Sequence, residues 1–158
     1  MSPEDFAERF REHQPAVARF MSRRVERDDV EDLTADVFTI AWRKRDAVTS
    51  GEELPWLYRI AGFVVANHRR KRFSALAVMR RLGPQDPAPS AESVAMADSE
   101  LSTAWNQLSV KEREIIALTA LDGLAVAEAA STLGITPNAA SIRLHRAKSH
   151  LAELLAKD

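Results

Sequence analysis

Apolar residues recur at three- and four-residue steps through most of this chain, and strand-type alternation of β-branched residues is absent. That period predicts amphipathic helices. A first helix over Pro3–Glu26 places Phe6, Phe10, Val17 and Phe20 on one side. A second, from Asp28-Asp29, carries Val30, Leu33, Val37 and Ala41 on one face with Phe38 and Trp42 beside it. A third begins at Pro55 and buries Trp56-Leu57, Ile60-Ala61 and Val64-Val65. Further on, Leu101, Trp105 and Leu108 lead into Ser109-Val110-Lys111-Glu112, the signature of a capping box. The helix this opens holds Ile115, Ile116, Leu118 and Thr119, and ends at Asp122-Gly123.

The last stretch is the most informative. Ala125–Thr132 suits a short helix, Leu133-Gly134-Ile135 a tight turn, and Thr136-Pro137 an N-cap hydroxyl followed by proline at the first helical position. In the helix so opened, Ala140, Leu144, Ala147 and Leu151 form a stripe to be buried. Asn138, Ser141, His145 and Ser149 lie opposite, with Arg143 and Arg146 on the flanks. This is the plan of a helix-turn-helix, whose second helix enters the DNA major groove. A plain helical hairpin would also carry solvated arginines. Small residues near the helix start, with Asn and Arg able to contact bases or phosphates, favour the DNA reading.

Between the helical halves, residues 82–99 concentrate Pro84, Pro87 and Pro89 with Gly, Ser, Ala and acids, which suits a flexible connector. The expected architecture is therefore all-α. Two small helical domains, 1–81 and 101–158, are joined by a flexible acidic linker over 82–100, and the second contains the helix-turn-helix.

Composition removes several function classes. The 158 residues are 46% apolar and 28% charged, with no cysteine. Disulfides, thiolate zinc sites and thiol redox chemistry are excluded. No apolar run reaches the roughly 18 residues of a membrane span, and the acidic start Met1-Ser2-Pro3-Glu4-Asp5 is no secretory signal. A cytoplasmic location without membrane insertion is expected. His13, His68, His145 and His150 have no metal-ligand spacing, and no phosphate-binding or nucleophile motif is visible. Neither an enzyme nor a cofactor or metal site is expected. The net charge of −1 hides an uneven distribution, since residues 84–104 hold Asp86, Glu92, Asp98 and Glu100 without one Lys or Arg. Residues 1–83 are net basic, and local patches set the field a phosphate backbone meets.

Three N-terminal features carry chemistry. Asp28, Asp29, Glu31, Asp32 and Asp36 crowd the start of the Phe38/Trp42 helix. Carboxylates favour a helix N-terminus, but this surplus points to docking on a basic partner protein. The third helix, PWLYRIAGFVVANHRRKR, shows Arg59, Phe63, Asn67 and Arg70 on its polar side and ends in Arg69-Arg70-Lys71-Arg72. Aromatics interleaved with cations suit unpaired bases, which stack on rings while cations follow the backbone. The small polar residues of the loop Val48–Glu53 suit the enclosure of an extruded base.

An acidic cluster with an aromatic helix, then PWLYRIA…ANHRR, a linker, and LSVKEREIIALTALDGLAVAEAASTLGITPNAASIRLHRAK stand here in one order and spacing. In this the chain resembles the extracytoplasmic-function (ECF) sigma factors of the bacterial sigma-70 family, over residues 5–155. The resemblance implies a factor that directs core RNA polymerase to promoters and melts the −10 region. It implies polymerase contacts through Asp28, Asp29, Glu31, Asp32, Asp36, Phe38 and Trp42, on the β′ clamp helices. The −10 element would be met by Arg59, Phe63, Asn67, Arg69, Arg70 and Lys71, with Val48–Glu53 as the base-capturing loop. The −35 element would be met by Thr136, Asn138, Ser141, Arg143, His145, Arg146 and Lys148, in a domain that also touches the β flap. The linker would thread toward the polymerase cleft. Whether an anti-sigma factor also binds is left open. Two positions depart from the family pattern. Gly62-Phe63 stands where Arg-Asn is frequent, and Ala125 replaces a Ser or Thr cap, a change of about 1 kcal/mol. A stand-alone regulator binding operator DNA would explain the helix-turn-helix but not Asp28–Arg72, and a pure interaction module would explain less.

Overall fold

The computed structural model describes residues 1–80, 88–90 and 99–156. The chain forms two compact units, Met1–Pro87 and Ala88–Asp158, and the described residues are helical without strands.

In the first unit, α1 (Pro3–Arg11) opens with a capping box, Ser2 Oγ accepting from the Asp5 N–H at 3.1 Å. The single first helix expected from the sequence is two, because α2 (Gln14–Ser22) starts anew after Glu12-His13. Pro15 is the cause: it has no N–H to offer the carbonyl of Arg11, and its ring crowds that carbonyl. A 3₁₀ turn, Arg27–Asp29, leads into α3 (Val30–Arg43), and a second turn, Arg45–Ala47, precedes α4 (Glu53–Arg80). The helices α2, α3 and α4 pack mutually. Phe10, Val17, Phe20, Met21, Val37, Leu57 and Val65 are fully buried. Tyr58 joins them, stacked on Phe20 at 4.9 Å, although the sequence stripe omitted it. Trp56, expected in that stripe, is half-buried, with its ring 6.0 Å from Phe10.

The second unit contains α5 (Ser99–Gln107), α6 (Val110–Ile116), α7 (Val126–Leu133) and α8 (Pro137–Ala156). Trp105 is buried, and a buried indole N–H needs a partner; Nε1 donates to the Pro89 carbonyl at 2.8 Å. Ala88 and Pro89, expected within the flexible connector, are thus buried parts of this unit, and α5 begins at Ser99. Residues 82–87 and 91–98 of the connector lie outside the described residues. The Ser109 capping box forms: its N–H donates to Glu112 Oε1 at 2.8 Å and its Oγ accepts from the Glu112 N–H at 3.2 Å. After α6 the backbone widens into one π-helical turn, Ala117–Leu121, closed by the Asp122 N–H on the Ala117 carbonyl at 2.9 Å.

Candidate nucleic-acid interface

The helix-turn-helix is built as its residues dictate. Gly134 ends α7 in the left-handed region at φ +70°, where a side chain would be strained. The Ile135 N–H returns to the Ala130 carbonyl at 3.0 Å, and Thr136 Oγ1 caps α8 by accepting from the Ala139 N–H at 3.1 Å. Thr136 is therefore a cap first, its hydroxyl already engaged. Ala140, Leu144 and Ala147 are buried and Leu151 half-buried, which turns the opposite side outward. Asn138, Ser141, His145, Arg146 and Lys148 are exposed there, while Arg143 is half-buried on the flank. Ile142 is also exposed, at 44%, an apolar position that polar and cationic patterning does not single out.

The α8 helix is braced from behind. His150 Nδ1 lies 2.8 Å from Glu112 Oε2, joining its later turns to the start of α6. Burial raises the Glu112 pKa, but the Ser109 N–H, the His150 ring and the Ser109 hydroxyl outweigh it and hold the carboxyl below the usual glutamate range.

In the first unit, α4 turns Leu57, Tyr58, Ala61, Val64 and Val65 inward. Arg59, Phe63 and Arg70 follow at four- and seven-residue steps on the exposed side. Phe63 is 63% exposed, an unusual placement for a phenylalanine with a core available beneath it. A Cβ at Gly62 would meet nothing within 4 Å, so packing does not demand glycine there. The basic run divides. Arg70 and Lys71 are exposed. Arg69 donates to the Arg24 carbonyl within the unit, and Arg72 pairs with Glu26 at 2.5 Å and Asp29 at 3.7 Å. These long-range contacts leave Arg69 and Arg72 bound to their own unit.

The acidic group divides as well. Asp28 and Asp32 are exposed, while Asp29 lies 3.3 Å from His68 on α4. Glu31, Phe38 and Trp42 line an apolar groove of about 1110 Å³ together with Phe6 and Phe10 of α1. Phe6 meets Trp42 edge-on at 5.3 Å, and the Arg45 guanidinium sits 3.8 Å over the Trp42 ring. Asp36 lines instead a smaller cavity of about 430 Å³ between α3 and α4, shared with Arg43, Phe63, Asn67 and Lys71. The sequence placed Asp36 with the other acids; the helix periodicity places it beside Phe63 and Asn67.

The loop before α4 is pinned at one end. Glu53 Oε1 accepts from Arg9 Nε at 2.7 Å and from the Gly51 N–H at 3.2 Å, and Gly51 sits at φ +88°. Burial disfavours ionisation of Glu53, but backbone N–H groups of Glu53 and Gly51 and the Arg9 side chain more than compensate and lower its pKa. Thr49, Ser50 and Glu52 remain exposed. Among the described residues no helix is long and apolar enough to cross a membrane, and no group of three or more acidic or His side chains could hold a metal ion.

Comparison with known proteins gives this geometry its context. Residues 9–73 match the family model for sigma-70 region 2, and residues 98–151 that for sigma-70 region 4. The chain is 33% identical to the RNA polymerase sigma factor NccH of Alcaligenes xylosoxydans over 83% of this chain and 75% of that protein. It is 31% identical to the RNA polymerase sigma factor CarQ of Myxococcus xanthus, covering 96% and 90%. It is 30% identical to the ECF RNA polymerase sigma factor SigF of Caulobacter vibrioides, covering 82% and 72%. The co-crystal structure of the sigma factor RpoE with the anti-sigma factor NepR from Bartonella quintana aligns over 98% of this chain and 99% of that one, at 27% identity and a TM-score of 0.69. With both sigma regions present in order around the helix-turn-helix and the Phe63 helix, the chain belongs to the extracytoplasmic-function RNA polymerase sigma factors of the sigma-70 family.

Proposed function

We propose that the chain recruits core RNA polymerase to promoters by dividing the work between its two units, without itself catalysing a reaction, in the cytoplasm. The observation that carries this reading is Phe63, a large ring held in water on α4 between exposed cations. An unpaired base stacks on such a ring while the neighbouring cations follow the strand. Unit one would hold the single strand of the −10 element through Arg59, Phe63, Asn67, Arg70 and Lys71. Arg69 would contribute by fixing the helix rather than by touching DNA. The loop Val48–Glu53 would enclose an extruded base with Thr49 and Ser50.

The exposed carboxylates Asp28 and Asp32, with Glu31 at the rim of the apolar groove, offer a basic partner both charge steering and, through Phe38 and Trp42, apolar surface. The β′ clamp helices of polymerase are the proposed occupant, with Asp29 paired to His68 of α4 and Asp36 at the cavity between α3 and α4. Unit two would read the −35 element as duplex. Asn138 and Ser141 stand near the start of α8, where side chains meet base edges. Arg143, His145, Arg146 and Lys148 would hold phosphates, and the unit would also touch the β flap. The chain would be further held by an anti-sigma factor, as RpoE is by NepR in its co-crystal structure.

The decisive test adds the purified chain to core polymerase and measures transcription from promoters recovered by selection. New, sequence-specific initiation is the expected result. Operator binding without any gain of initiation would overturn it.

A further inference from the structure

On α8 the buried row of Ala140, Leu144 and Ala147 marks the inward side, and Ile142 falls opposite it, with Asn138 one turn before and His145 and Arg146 just after. All three of those neighbours are exposed. Ile142 thus occupies the centre of a face that is otherwise polar or cationic, and 44% of its surface is open to solvent. A single exposed aliphatic residue ordinarily needs no explanation. Its position supplies one here, because this is the helix face that a helix-turn-helix presents to the major groove.

The chemistry of that groove is restrictive. Guanine, adenine and cytosine present donors and acceptors, and only thymine adds an apolar group, its C5-methyl. A branched hydrocarbon side chain can neither donate nor accept. Set against a guanine, adenine or cytosine edge it would strip water from polar atoms and return nothing. Set against a thymine methyl, it buries apolar surface on both partners. We propose that Ile142 is a specificity residue that reads one thymine of the −35 element by packing against its C5-methyl group. The proposal rests on the assignment of α8 to that element, and it adds an apolar contact to the polar ones expected from Asn138 and Ser141. Its fixed rotamer in a helix makes it a shape reader, since Val and Ile hold one dominant χ1 there.

The test uses holoenzyme assembled from the full chain and core polymerase. A preferred −35 element is first selected from a randomised duplex pool. Each thymine, on either strand, is then replaced by deoxyuridine, which keeps every hydrogen-bonding atom and removes only the methyl. Affinities are compared for the wild type and for Ile142→Ala. The variant keeps its fold by circular dichroism and thermal unfolding, because the site is exposed and Ala is the better helix former. At one thymine, loss of the methyl should weaken wild-type binding about fourfold, the effect of burying one methyl group. At that position Ile142→Ala should bind the two duplexes equally while still preferring the selected element elsewhere. An element without thymine, or a methyl effect of equal size in both proteins, overturns the proposal. A pool that yields no preferred sequence at all overturns the −35 assignment of α8, and this inference with it.

Discussion

The Asp29 carboxylate lies 3.3 Å from Nε2 of His68, tying the turn before α3 to the basic stretch in the middle of α4. Arg72 completes the cluster, 3.7 Å from Asp29 and in contact with Glu26. Its side chain and that of Glu26 are well exposed, so these pairs add little to stability. Their consequence is competitive, because an arginine held by two carboxylates is not available to a phosphate. Glu26→Gln should therefore raise the affinity of the holoenzyme for promoter DNA and steepen its salt dependence by about one in log–log slope, the gain of one phosphate contact. Titrations between 50 and 200 mM salt, a range over which such contacts are strongly resolved, measure this. Reduced affinity would mean that Glu26 positions Arg72 for DNA instead.

Asp28, Asp32 and Asp36 are all exposed, so polymerase docking should follow helix face rather than exposure or proximity in sequence. Asp28→Ala with Asp32→Ala should weaken binding to core polymerase, whereas Asp36→Ala should leave it unchanged, because Asp36 lines the cavity beside Phe63. Core-binding titrations with folded variants decide the point. Equal losses from both sets would restore Asp36 to the docking surface.

Phe63 separates the two stages of promoter binding. Phe63→Ala removes a ring that is 63% exposed, so the fold should survive. Open-complex formation should fall by about 1–3 kcal/mol, the value of one base stacked on an aromatic ring, while closed-complex binding stays near wild type. Footprinting of the melted region alongside duplex affinity reads both stages. A loss shared equally by both would assign Phe63 a structural role.

The helix-turn-helix was fully legible because each device in it is local. Gly134 follows α7, Thr136 and Pro137 open α8, and Ala140, Leu144 and Ala147 keep the 3.6 period. Elsewhere the period misled. Phe6, Phe10, Val17 and Phe20 stay in phase across Glu12-His13, so hydrophobicity alone shows one helix; only the missing N–H of Pro15 betrays two. The partners of Arg69, Arg72 and Asp29 lie about forty residues away in sequence, where no local pattern reaches. Ile142 lies opposite the buried stripe in the sequence itself, but a pattern of polar and cationic residues does not single it out.

Acid should loosen the brace behind α8. Glu112 is held below the ordinary glutamate value of 4.5, despite opposing burial, by Ser109 and His150. A carboxyl whose pKa is lower folded than unfolded contributes stability that is complete above the unfolded value and lost as pH falls through the folded one. The advantage of the wild type over Glu112→Gln should therefore shrink as pH drops below about 4.5. Thermal unfolding followed through amide signals of α6 and α8 measures the difference. An advantage unchanged down to pH 3 would show that the ionised carboxylate contributes nothing to the brace.

The N-terminus of α7 is capped on one side only. Ala125 sits in the extended backbone conformation of an N-cap, at φ −65° and ψ 158°, and its N–H already donates to Glu128 Oε1 at 2.9 Å. That is half of a capping box; the missing half is a hydroxyl to accept from the N–H of Glu128. Ser109 before α6 shows the completed arrangement in the same unit. Because Ala125 is exposed, a serine there displaces nothing. Ala125→Ser should stabilise the second unit by about 0.5–2 kcal/mol, the usual difference between an acceptor and alanine at this position. The gain should appear in its thermal unfolding and in slower exchange of the amides in the first turn of α7. Since α7 is the helix that supports α8 without leading into the groove, sequence preference at the −35 element should stay as it is. A stabilised variant with altered preference would instead place Ala125 against DNA.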